Sequence, residues 1–84
     1  MISKLLVVAG AGSYPRLVVE GAKRAGVGRV DVLGLKGSCV RATFRAADHT
    51  IAFAVGETDK AIEWGARQGY DGVILAGQVS PLSL

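Results

Sequence analysis

The sequence is short of most of what hydrolytic or redox chemistry draws on. In 84 residues there is one cysteine, one histidine, one tryptophan and one methionine. A lone Cys39 excludes an internal disulfide and agrees with a reducing cytosol; nothing beside it activates a thiol, so it reads as a plain, buried or partly buried side chain. His49 has no nucleophile elbow near it, which excludes a Ser-His-Asp arrangement. Metal-ligating residues are scattered: Glu57 and Asp59 are neighbours, but Asp59 is explained by a helix start, Asp31 falls mid-strand and Asp71 in a turn, so no metal site is expected in these residues. No carboxylate pair is spaced for acid–base work. No catalytic residue is therefore assigned.

Long apolar runs are missing too. Lys4 leads into only Leu5 to Ala9 before glycines begin, too short for a signal peptide or a membrane span. There is no basic cluster: ten Lys and Arg against seven Asp and Glu leave a net charge of +3, spread out and without interleaved aromatics. Nucleic acid is excluded as a partner. The mild excess suits an anionic small ligand, an acidic surface, or simply a solvated one.

What is abundant is glycine, 12 in all, set between apolar runs in a chain that is half hydrophobic. That is a globular composition and one domain. A domain this small buries only about 60% of the surface its unfolded chain exposes, so its stability is marginal unless something covers it.

The runs alternate in type. Lys4 to Ala9 reads as a strand buried on both faces. Gly10 to Tyr14 is a tight loop, and Pro15 suits the first turn of a helix. That helix is expected from Pro15 to Ala25, with Leu17, Val18, Gly21, Ala22 and Ala25 inward and Gly26 and Gly28 as its stop. Val30 to Leu35 is a second strand. Residues 36 to 49 form a polar linker with a short helical turn around Val40 to Ala47, and Thr50 to Val55 is a third strand. Thr58 is a good N-cap for a helix from Asp59 to Gln68, its inner face Ala61, Ile62, Gly65 and Ala66, its C-cap Gly69. Gly72 to Ala76 is the fourth strand. Two βαβ units imply a small, Rossmann-like, three-layer α/β domain with a four-stranded parallel sheet. Strand orders 3-2-1-4 and 2-1-3-4 both remain open.

Ligands bind at the carboxyl ends of strands in open parallel sheets. Three glycine-bearing segments fall there: Gly10 to Tyr14, Gly56 to Lys60 and Gly77 to Ser80. The first two lead into helix N-termini, which favour phosphate, although tight strand-to-helix turns need glycine in any case. The first loop is not a dinucleotide fingerprint. It lacks the third glycine, and Leu35-Lys36-Gly37 stands where the ribose-binding acid belongs, so NAD is not expected. No Walker A loop is present. Lys60, in the first turn of a helix, works against the helix dipole and needs another reason to be there, such as an anion. Trp64 reads as a packing or interface residue ahead of a base-stacking platform. Candidate substrate-binding residues are Gly10, Gly12, Ser13, Gly56, Lys60, Gly77 and Ser80.

The stretches Ala9 to Pro15 (AGAGSYP), Gly56 to Lys60 (GETDK) and Ala76 to Ser80 (AGQVS) resemble, in order and spacing, the N-terminal domain of LpxI-type UDP-2,3-diacylglucosamine pyrophosphatases. Tyr14 replaces the usual Leu, and Asp59 stands where the family tends to have Gly. The resemblance covers nearly all of residues 1–84. It implies a cytoplasmic step of lipid A synthesis, peripheral to the inner membrane, in which UDP-diacylglucosamine is hydrolysed to UMP and the acylated sugar 1-phosphate with a divalent metal such as Mg²⁺. It also implies that catalytic and metal-binding groups sit mainly in a second, larger C-terminal domain, so that this N-terminal part alone is inactive. The alternative is a stand-alone nucleotide- or phosphate-binding or oligomerisation module without catalysis. The open sheet edges lead to the expectation of a homodimer.

Overall fold

The computed structural model describes residues 2–77. Its elements run β1 (Lys4–Ala9), α1 (Tyr14–Arg24), β2 (Arg29–Leu35), α2 (Arg41–Ala46), β3 (His49–Phe53), a 3₁₀ turn (Val55–Glu57), α3 (Thr58–Ala66) and β4 (Gly72–Ala76). The four strands form one parallel sheet in the order β3-β2-β1-β4. Of the two orders left open by the sequence, this is 3-2-1-4, the order of the first half of a doubly wound sheet.

The continuous apolar runs of β1 and β2 are explained by cover on both faces. On one face Leu5, Val7, Ala9, Val30, Val32 and Ala76 pack with Val19 of α1 and, less deeply, Phe44 of α2. On the other Leu6, Val8, Leu33, Leu35 and Phe53 pack under Ala61 of α3. Gly65 lets α3 come down onto the sheet: a Cβ there would stand 2.4 Å from Leu6 Cδ2. The domain is thus three layers, with α1 and α2 on one side and the single helix α3 on the other.

One short helix cannot cover a whole face, and the sheet's edges show it. Val73, Ile74 and Leu75 of β4 and Ile51 of β3 are exposed. By register Val73 and Leu75 pair with Leu6 and Val8, so they share the α3 face and continue its apolar surface outward.

Helix faces differ from expectation. In α1 the buried residues are Pro15 and Val19; Val18 and Ala22 pack against the core as expected, whereas Leu17 and Ala25 are exposed. Three consecutive apolar residues, Leu17 to Val19, leave the helical period undecided; Pro15, packed beside Gly77, sets the rotation. In α3, Ala61 and Gly65 are buried as expected and Ala66 is exposed. Glu57 occupies the N-cap, with Thr58 the first helical residue, because the 3₁₀ turn brings the chain into the helix one residue early. Its C-cap is Arg67, and Gly69 lies beyond it in a turn with φ +75°.

Candidate functional site

The carboxyl end of the sheet is built around β1 and β4. These neighbours mark the switch point, where the connections diverge to opposite faces and where open α/β sheets form their ligand crevice. The Gly10 N–H donates to the Ala76 carbonyl at 2.9 Å. Gly77, at φ +82°, is in still closer contact: a Cβ on it would lie 2.5 Å from the Ala11 oxygen and 2.9 Å from Pro15 Cγ. Only glycine fits there, so Gly77 and the Gly10–Ser13 loop form one unit. Gly12, at φ +93° with open space beside it, makes an isolated bridge with Cys39, which ties in the loop after β2.

Ser13 is the N-cap of α1, yet its hydroxyl makes no capping bond and no acid stands in the first turn. A helix N-terminus with free N–H groups and no protein carboxylate nearby attracts an anion. The start of α3 differs. Asp59 lies in its first turn, and the Glu57 carboxylate accepts the Ala54 N–H at 3.1 Å. That end already carries negative charge.

The seven candidate residues therefore divide. Gly10, Gly12, Ser13 and Gly77 come together. Gly56 and Lys60 belong to the β3 edge, two strands from β1, about 10 Å at the usual inter-strand spacing. Lys60 lines a groove between α3 and β3 instead of the crevice. Ser80 lies outside the described residues.

A second cluster, at the amino end of the sheet, escaped the sequence reading. Asp31 is only 1% exposed. Arg29 Nε donates to both of its oxygens at 3.0 Å, and the Tyr70 hydroxyl donates to Oδ2 at 2.6 Å. His49, the first residue of β3 and no longer part of a linker, stands with Nδ1 3.5 Å from Oδ1. Burial pushes the Asp31 carboxyl up, but the hydrogen bonds from Arg29 and Tyr70 and the charges of Arg29 and His49 outweigh it and hold the group below its ordinary range. Burial, together with the bond to Asp31, pushes Tyr70 up to about 12. The signal was present: Arg29-x-Asp31 puts opposite charges on one face of a strand otherwise buried on both sides, where an unpaired carboxylate would be costly.

Asp48 and Asp71 complete that end. Asp48 accepts from Lys23 Nζ at 3.0 Å and the Val30 N–H at 2.8 Å. Asp71 accepts from the Ser3 hydroxyl at 2.7 Å and from the Ser3 and Lys4 amides. Cys39 is free and half-buried, its thiol pushed up by burial. Among the described residues no group of three or more His, Cys, Asp or Glu side chains converges to hold a metal.

Residues 4–84 match the family model described as the LpxI N-terminal domain. No curated protein and no solved structure gives a significant match.

Proposed function

This chain belongs to the LpxI N-terminal domain family, and from that premise we propose that it is the substrate-contacting wall of a UDP-2,3-diacylglucosamine pyrophosphatase, binding the nucleotide diphosphate without cutting it. The observation that carries this reading is the joined unit of Gly10, Gly12, Ser13 and Gly77 at the uncapped N-terminus of α1. Backbone N–H groups there would take phosphate oxygens, and the α1 dipole would favour their charge. Gly12 and Gly77 keep side chains out of the approach.

The chemistry of hydrolysis to UMP and an acylated sugar phosphate falls to residues elsewhere. The one histidine lies at the amino end of the sheet, against Asp31. The divalent metal that the resemblance implies does not fit the described side chains, because none of their acids converge and Asp31, Asp48 and Asp71 are already engaged. No step through a metal is assigned to this chain. The acylated substrate would bring the parent protein to the cytoplasmic surface of the membrane; no described helix is long and apolar enough to cross it.

The test is a titration of the chain with UDP and UMP, followed by amide chemical shifts. Saturable shifts at Gly10, Gly12 and Gly77 are expected, larger for UDP, and lost in Gly12→Val. The side chain there meets open space, but the positive φ strains it, so the amide spectrum of the variant first establishes that it is folded. Unmoved loop amides at millimolar UDP would sink the reading.

A further inference from the structure

A groove of about 220 Å³ opens between α3 and β3, on the face opposite α1. Its floor is Leu33, Ile51 and Phe53, and its helical wall is Ala61 and Trp64. All five are apolar. At the end nearest the sheet's carboxyl edge stand Glu57 and Lys60. The two differ in availability. The Glu57 carboxylate turns back to the Ala54 N–H. Lys60 makes no ion pair or hydrogen bond among the described residues, although it sits in the first turn of α3, where a cation opposes the helix dipole. Lys60 and Trp64 are four residues apart and therefore share one flank of the helix. Trp64 is 36% exposed and Ile51 39%, so both keep apolar area that a ligand in this groove would cover.

We propose that this groove is a binding site for a planar aromatic anion, its ring held against Trp64 and the strand floor and its charged group beside Lys60. Apart from the Trp64 indole N–H, the side chains of the floor and the helical wall are apolar and give the hydroxyls of a sugar little to bond to. A flat ring recovers the exposed area of Trp64 and Ile51. An anionic substituent at one end supplies the partner that Lys60 lacks. This site is separate from the Gly10–Ser13 and Gly77 crevice and does not depend on the nucleotide reading. It also accounts for Lys60 and Trp64 together, which the sequence motifs left as unrelated features.

The experiment uses naphthalene-2-sulfonate and the neutral naphthalene-2-methanol on the whole chain. Trp64 is the only tryptophan, so its indole N–H gives a single resonance. The sulfonate should shift that resonance saturably while the Gly10 and Gly12 amides stay still. The neutral analogue should bind about fivefold more weakly, the upper range for an exposed ion pair. Lys60→Met should lower the affinity for the sulfonate to that of the alcohol. No saturable indole shift at millimolar sulfonate overturns the proposal. So does equal binding of both compounds that is indifferent to Lys60→Met, which would mean unspecific apolar adhesion. Because the glycine amides report on the crevice alone, a failure here is distinct from a failure of UDP binding.

Discussion

At the amino end of the sheet, three aspartates are engaged. Asp31 is held by Arg29 and Tyr70, Asp48 by Lys23 and the Val30 amide, and Asp71 by Ser3 and the Lys4 amide. At the carboxyl end no ion pair joins two elements among the described residues, the α1 N-terminus is uncapped, and Gly12 and Gly77 hold positive φ. One sheet thus separates two tasks. Ion pairs that tie strands and helices together gather where the strands begin, and the glycine-rich loops lie where they end. A small core has little stability to spare, so the matched end is what permits the open one.

The largest effect should come from breaking the matched end. Asp31→Ala leaves the Tyr70 hydroxyl and Arg29 without their shared acceptor, and should cost about 2–3 kcal/mol, a large share of what a domain of this size possesses. Urea denaturation reads this as a lower midpoint. A loss under about 0.5 kcal/mol, the level of an ordinary surface change, would show that the amino end is not where stability resides.

A change at the open end should cost less stability and more binding. Gly77→Ala places a methyl group 2.5 Å from the Ala11 oxygen in a backbone region that disfavours side chains, for about 1–2 kcal/mol. It should also remove the UDP-induced shifts at Gly10, because the β1 loop must move. Retained shifts with intact stability would dissolve the contrast between the ends.

The smallest effect is visible only in alkali. A free tyrosine ionises near pH 10, whereas folded Tyr70 is held neutral to about 12. Its contribution is complete below pH 10 and fades as the pH climbs towards 12. The wild-type midpoint should fall over that window more steeply than that of Tyr70→Phe, which has no phenol to ionise. Parallel curves would mean that the Tyr70–Asp31 bond carries no linkage.

Much of this was legible in the sequence. β1 and β4 fall where the apolar runs Lys4 to Ala9 and Gly72 to Ala76 put them, and α2 is the helical turn expected around Val40 to Ala47. These runs carry their own period and their own stops. What was not legible depended on neighbours. The rotation of α1 was set by Pro15 meeting Gly77, 62 residues later (77 − 15). The separation of Gly56 and Lys60 from the other glycine loops follows from strand order, which no local pattern encodes. The role of Gly77 itself became visible only through the Ala11 oxygen that excludes a side chain from it.

The strand order has a consequence for synthesis on the ribosome. β1 emerges first and lies in the interior of the sheet, yet one of its two partners is β4, the last strand described. The β1–β2 half can zip as soon as Leu35 is out. The other margin of β1 must wait for Gly72 to Ala76, and with it the Ser3–Asp71 clasp that joins the two ends of the described chain. For that interval Leu5 to Ala9 presents a bare strand margin to solvent, the kind of unpaired edge that exposes a nascent chain to aggregation.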